Sequence, residues 1–309
     1  MFIEKKRVGK NIKFYLAHSY RENGIPRKIR KYLGANLSKK ELEQKQKLAF
    51  KIVYKFISEL NTDIFNFSLT PSQMSSLNKL DKEIKIVKLS KESLATFTKE
   101  FVYNTNAIEG SKLLMQDVKE VLDSNKKIHD FDELEAKGVA RAMKYIQGTN
   151  EELSLELIKK LHFLCFNKTK AFAGKFRDVE VVVKNSLGEI VHQGILVKDL
   201  NFYLNDLISW YIKNKSKLKP LILAGIVHNQ FELIHPFQDG NGRVGRLLLN
   251  FILFKNKYPP INIYLEDRQK YYSVLQEYQL YQNLKPTIEF LVVQYNKNLK
   301  KGGLHKIEK

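Results

Sequence analysis

HPFQDGNGRVGR, residues 235–246, lies between two apolar runs of helical spacing, one ending near His235 and the other opening around Gly242. Gly240, Gly242 and Gly245 leave the backbone free to turn tightly, so consecutive N–H groups can converge on an anion at a helix N-terminus. Asp239 stands just before this cradle, where one carboxylate, phosphate oxygens and waters would complete an octahedral Mg²⁺ shell. Arg243 and Arg246, three residues apart, are expected on one helix face with both guanidinium groups turned toward a bound polyphosphate. His235 adds an imidazole, expected to titrate near neutrality and able to take a proton from a hydroxyl as that oxygen closes on phosphorus.

Working outward, Pro220–Ile234, Leu200–Ile212 and Glu152–Phe166 on one side and Leu247–Phe254 on the other repeat the helical period, as do Asp117–Leu122 and Asp132–Ile146. The body is therefore mostly α. FRDVEVVVKNSLGEIVHQG interrupts it with a Val-rich run, an Asn-Ser-Leu-Gly turn at 185–188 and a resumption at Ile190, a β-hairpin among helices. Residues 1–35 predict a second small hairpin, with Ile12, Phe14 and Leu16 on one limb, a turn at Glu22–Pro26 and a basic second limb ending at Gly34. From Ser38 a capping box with Glu41 opens a helix whose apolar positions are Leu42, Leu48, Ile52, Phe56 and Leu60. Thr70-Pro71-Ser72 marks another helix start or turn. Repeats and low-complexity segments are absent from the sequence.

With 309 residues, 43% of them hydrophobic, the chain has material for a genuine core. The opening MFIEKKRVGK lacks the apolar run of a secretory signal, and no apolar stretch reaches the length of a membrane span, so a cytoplasmic protein without membrane attachment is expected. A single cysteine, Cys165 in the apolar setting LHFLCF, excludes an intramolecular disulfide and a multi-cysteine zinc site and reads as a core residue. Residues 1–60 hold 16 Lys and Arg against 5 Asp and Glu, a net +11 out of +20 for the whole chain. Such a head attracts nucleic acid, an anionic membrane or an acidic protein. Chain-wide richness in Lys, Ile and Asn accounts for most of that charge equally well, so nucleic acid is not the favoured partner.

The motif resembles the Fic family pattern H-x-F-x-D/E-G-N-G-R-x-x-R at each specified position: His235, Phe237, Asp239, Gly240, Asn241, Gly242, Arg243 and Arg246. GKFRDVEVVV is similar to the family's flap, and YPPINI, DRQKYYSVL and PTIEFL continue the likeness, which runs over about residues 86–298. The resemblance implies a Fic-type helical domain with an inserted β-hairpin flap, and a protein adenylyltransferase that moves AMP from ATP, with Mg²⁺, to a Ser, Thr or Tyr hydroxyl of a target protein, which includes the enzyme itself. It makes His235 the general base, Asp239 the metal ligand, and Gly240, Asn241, Gly242 and Arg243 the holders of the α and β phosphates. Arg246 takes the γ-phosphate. Val181, Val182, Val183 and Lys184 would register the target over the site, and Tyr271 and Tyr272 resemble the base-side pair. Gln279 departs from an Asn found in some relatives, which leaves base preference open.

Upstream, TNAIEG (Thr105–Gly110) resembles the S/T-x-x-x-E-G inhibitory motif of the family, with Glu109 as the inhibitory carboxylate lodged against Arg246. The resulting division is a basic β-hairpin appendage at 1–35, a helical region at 36–85, the Fic domain at 86–298 and a basic tail at 299–309. The same machinery run backwards, removing AMP with Glu109 orienting water, is an alternative; so is a nucleic-acid-binding regulator that keeps the fold. A homo-oligomer is compatible with the sequence. Other readings of these residues fare worse. His228, His235 and Asp239 mimic metal-ligand spacing, but no H-E-x-x-H helix is present, so His228 is assigned to structure. Gly240, Gly242 and Gly245 also spell G-x-G-x-x-G, yet a dinucleotide fingerprint must follow a strand and the text before it reads as helix. No G-x-x-x-x-G-K-S/T supports a P-loop.

Overall fold

Alternation along residues 2–22 puts every second side chain on one face of a strand, and the chain there forms β1 (Phe2–Val8) and β2 (Asn11–Glu22), with β3 (Ile25–Ala35) completing an antiparallel sheet of order β1-β2-β3. The structure, a computed structural model, describes residues 1–22, 25–59, 69, 71–86, 89–124, 128, 130–184 and 190–300. The expected hairpin is β2–β3, and β1 is an added strand that the polar text EKKR hid; the centre of the expected turn, 23–24, lies outside the described residues. The chain divides into two compact units, Met1–Ser68 with Leu280–Gln282, and Leu69–Gln279 with Asn283–Lys309.

In the first unit Ser38 and Glu41 form the reciprocal capping box: the Ser38 N–H donates to the Glu41 carboxylate at 2.9 Å and the Glu41 N–H to Ser38 Oγ at 3.4 Å. This opens α1 (Lys39–Glu59). Its buried face differs from the expected one. Leu48 and Ile52 stand 72% and 54% exposed, and Ala49, Phe50 and Val53 pack instead on Phe14, Leu16 and Leu33 of the sheet. The small Ala49 lets the helix lie close to the pleat, a preference that hydrophobicity alone does not rank. Leu60 and the side chain of Phe56 lie outside the described residues.

The second unit is helical: α2 (Pro71–Asp81), α3 (Lys91–Ile108), α4 (Met115–Asp123), α5 (Phe131–Gly148), α6 (Leu155–Phe166), then the hairpin β4 (Val182–Lys184) and β5 (Ile190–Gln193), and α7 (Val197–Asn214), α8 (Pro220–Ile234), α9 (Asn241–Lys255), α10 (Arg268–Tyr281) and α11 (Lys285–Lys300). Thr70 and the hairpin turn at 185–188 lie outside the described residues. Among the described residues no helix is long and apolar enough to cross a membrane. α8 starts on Pro220, whose missing N–H costs nothing in a first turn, and is apolar nearly all round, so it is the buried central helix. It packs on α9, and α3, α5 and α6 close around α9. The α5–α6 approach depends on Gly138, where a Cβ would overlap the Cys165 carbonyl. Cys165 itself is buried, its thiol pushed up to about 12 by desolvation.

Candidate active site

α8 stops at His235, which takes a left-handed conformation with φ 52° and ψ 59°. A non-glycine residue pays for that backbone by roughly 1–3 kcal/mol, a cost usually met at functional positions. Gly240 (φ 84°) makes the second reversal, and a Cβ there would strike the Phe166 ring, so glycine is required twice over. Between them the Asn241 side chain fastens the loop: its Oδ1 accepts from the Phe237 N–H and its Nδ2 donates to the Phe237 carbonyl, both at 2.8 Å. The expectation that Asn241 holds phosphate is corrected to this extent: its amide is spent on the loop, and only its N–H, with those of Gly242 and Arg243 in the first turn of α9, lacks an intrahelical partner. Phe237 is buried and stacked on His162 of α6 at 3.9 Å. His162 Nδ1 accepts from the Gly174 N–H at 2.8 Å, which leaves Nε2 to donate to the Asp239 carbonyl at 3.0 Å. The loop is held before any ligand arrives.

Asp239 is half-exposed beside this turn. Lys170 Nζ lies 2.7 Å from its Oδ2 and Arg243 3.6 Å from its Oδ1. Burial opposes ionisation of Asp239, and Lys170 with Arg243 outweighs it, holding the carboxyl below its usual range. Glu135 of α5 binds Arg243 and, at 3.0 Å, Lys170 and the Thr169 hydroxyl. These groups, with Asn106, Glu109–Ser111, Phe131 and Asp132, line a cavity of about 390 Å³. No trio of His, Cys, Asp or Glu able to hold a metal occurs among the described residues. A single half-exposed carboxylate at a polar cavity fits Mg²⁺, which keeps several waters and shares substrate phosphates.

Arg246 turns the other way. It is 1% exposed, its Nε donating to Thr105 Oγ1 at 2.7 Å, and one terminal nitrogen donating to the Thr105 carbonyl at 3.0 Å and to Glu109 at 2.7 Å. Arg243 faces the cavity and Arg246 the end of α3, where Arg246 also lies beside Gly242 in the first turn of α9. Gly110 (φ 99°) ends α3 just after Glu109. A Cβ on Gly242 would overlap the Glu109 carboxylate, so that carboxylate sits directly over the first turn of α9, where a helix receives an anion.

His235 Nδ1 lies 3.3 Å from the Glu232 carbonyl, which can only accept, so Nδ1 carries the proton and Nε2 is the basic nitrogen. Burial, then the neighbouring His192, lowers the imidazole to about 4, correcting the expected titration near neutrality: at pH 7 the ring is neutral. Arg177 fixes the flap to this point. Its Nε donates to the His235 carbonyl at 2.7 Å and its terminal nitrogens to the carbonyls of Val179 and Ile195. Gly194 admits the approach, since a Cβ there would crowd Arg177, His235 and Val181. Val181–Lys184 are thereby brought beside His235, with Val182 and Val183 exposed; the Lys184 side chain lies outside the described residues.

Tyr271 and Tyr272 lie with ring centroids 5.6 Å apart but differ in exposure. Tyr271 is buried, with His228 Nε2 2.9 Å from its hydroxyl and Arg246 3.5 Å away, while Tyr272 is 41% exposed and donates to the Ile108 carbonyl at 3.3 Å. The pair expected on the base side thus consists of one buried and one half-exposed ring, and His228 is buried against Tyr271. Sequence reasoning missed Lys170, Glu135 and His162, for which no local signal exists, and Glu232. The Glu232 carboxyl is raised to about 8 by burial, against the attraction of Arg246, and its Oε1 has no hydrogen-bond partner among the described residues.

Residues 152–253 match the family model described as Fic/DOC family. That segment holds the 235–246 motif and is similar to a Fic domain. It is 28% identical over 201 residues to protein adenylyltransferase Fic of Nematostella vectensis, covering 62% of this chain and 45% of that protein. Against protein adenylyltransferase fic-1 of Caenorhabditis elegans it is 30% identical over 206 residues, covering 62% and 38%. The chain thus spans less than half the length of these curated relatives. Among solved structures, a Fic family protein from Desulfovibrio desulfuricans G20 superposes with TM-score 0.66 at 21% identity, covering 79% of this chain and 78% of the other. A Fic domain containing signaling protein from Bacteroides thetaiotaomicron VPI-5482 gives 0.62 at 24%, covering 76% and 99%. These structures share the fold.

Proposed function

We propose that the chain is a protein adenylyltransferase that moves AMP from ATP to a Ser, Thr or Tyr hydroxyl of a protein, and that Glu109 holds it back. The observation that carries this reading is the Glu109 carboxylate lying over Gly242 and bonded to Arg246, an anion already seated where a helix start and a guanidinium would take a phosphate. The first-turn N–H groups of α9 and Arg243 hold the inner phosphates beside the cavity; Asp239 would hold Mg²⁺, which would supply positive charge to offset that building on the leaving pyrophosphate. Arg246 takes the γ-phosphate once Glu109 has moved. The target's extended backbone lies along Val181–Lys184, which puts its hydroxyl near His235. His235 Nε2 removes the hydroxyl proton as the oxygen bonds to the α-phosphorus and the bond to pyrophosphate breaks. Thr105 and Gly110 set the position of Glu109. Tyr271 and Tyr272 border the base in this reading, Tyr272 through its exposed ring, and the setting is read as cytoplasmic.

Incubation with Mg²⁺ and ATP labelled at the α-phosphate should mark a protein hydroxyl, and ATP labelled at the γ-phosphate should not. His235→Ala should lower the label by about 10²–10⁴-fold. Undiminished label in that variant sinks the reading; release of AMP from a pre-labelled protein, without transfer, would instead identify the reverse reaction.

A further inference from the structure

Register assigns each side chain of the N-terminal sheet to a face, because residues directly opposite on antiparallel strands point the same way. One face carries Phe14, Leu16 and Leu33 and is covered by α1. The other is uncovered within its unit, and its residues fall into four rows across the strands. Lys6 pairs with Lys13; Glu4 with Tyr15 and Tyr32; Phe2 with Ala17 and Arg30; and Ser19 with Lys28. The centre is therefore aromatic. Tyr15 and Tyr32 lie 5.3 Å apart, Tyr32 is 50% and Phe2 45% exposed, and Ala17 between them is fully covered. Both ends are cationic. Lys6, Lys28 and Arg30 are exposed, Lys13 half-buried, and the one carboxylate, Glu4, is shared by Lys28 at 3.2 Å and Arg30 at 2.7 Å.

Lysine is common along the whole chain, so net charge alone argues little; the arrangement argues more. The row of Lys6 and Lys13 stands four residues of strand from the row of Arg30 and six from that of Lys28, or roughly 13 and 20 Å. The major groove of B-DNA is about 12 Å wide with phosphates along both rims, and admits paired strands. We infer that this open sheet face binds duplex DNA, its cationic ends meeting the phosphates on either side of the major groove and the Tyr15–Tyr32 centre facing the base edges. A-form RNA does not fit the face, since its major groove is too narrow for side chains to read. The surface lies in a different compact unit from the Fic motif, so it is a binding function separate from phosphoryl chemistry.

The test titrates the full chain with fluorescent short duplex DNA at 50 and 200 mM salt. The expected result is salt-sensitive binding that weakens at least about tenfold in the triple variant Lys6→Gln, Lys13→Gln, Lys28→Gln, with the salt slope reduced by about one for each lysine removed. A matched variant, Lys119→Gln, Lys213→Gln, Lys217→Gln, removes the same charge from exposed positions of the helical unit and should retain most of the affinity. Three results overturn the inference: no binding at 50 mM salt, equal weakening in the two triple variants, or competition by single-stranded RNA as effective as by duplex DNA. Unchanged melting temperatures confirm that both variants are folded.

Discussion

The two ends of the anion site at the start of α9 are built oppositely. At one, Asp239 is half-exposed, Lys170 and Arg243 surround it, and a cavity opens beside them. At the other, Arg246 is sealed from solvent and its donors are engaged by Thr105, Glu109 and Tyr271. Each end rests on its own buried histidine: His162 ties down the open end through the Asp239 carbonyl, and His228 lies under the sealed end against Tyr271. The difference teaches that one end is preformed and open, while the other is filled by the chain's own carboxylate. Under the proposed function, occupancy of one guanidinium, rather than rearrangement of the motif, is the variable.

The largest effect expected from this contrast is on stability against pH. Burial lowers His162 and His228 from 6.5 to about 4. Below pH 6.5 the unfolded chain takes up protons that the folded one refuses, so stability is complete above that pH and falls toward pH 4, by roughly 3 kcal/mol for each histidine. His162→Gln should flatten the share belonging to the open end and His228→Gln that of the sealed end; melting curves as acid-sensitive in both variants as in the parent would remove the assignment.

Next in size is the effect of Glu232, whose carboxyl is raised from 4.5 to about 8. Folding holds a proton there that the unfolded chain releases, a penalty that grows as pH rises from 4.5 and is complete above about 8. Glu232→Gln should therefore be stabilised relative to the parent by roughly 4–5 kcal/mol more at pH 8 than at pH 4, as read by denaturant unfolding at the two pH values. The smallest effect is that of Glu109→Gly, which should free Arg246 and raise the rate of AMP labelling by about 5- to 150-fold, the usual span of a coupling between two sites. ATP affinity should tighten with it and ADP affinity should change less, since ADP lacks the phosphate that Arg246 is proposed to receive. Equal shifts for the two nucleotides would place Glu109 elsewhere in the mechanism.

Much of this was legible from residues near each other in sequence. Period 3.6 marked α8 and α9, Gly240 and Gly242 announced the turn between them, and Ser38 with Glu41 announced the start of α1, because caps and turns are decided by a few adjacent side chains. The face of α1 was misjudged since Leu48 and Ala49 are one residue apart and only the sheet beneath decides which of them fits. β1 was missed because an edge strand exposed on one face can be written almost entirely in charged residues.

The sequence by itself determined the helical body, the inserted hairpin, and the identity of the imidazole, carboxylate and arginines at 235–246, all set by local spacing. Only the tertiary structure decided that Asn241 is spent on its own loop, that Tyr271 is core, that Lys170 and Glu135 reach Asp239 and Arg243, and that His235 is neutral at pH 7. The reason is physical: burial and tertiary partners, more than 60 residues away in the chain for Asp239 and Arg243, fix a side chain's charge and its free hydrogen bonds, and neither can be read from composition or spacing.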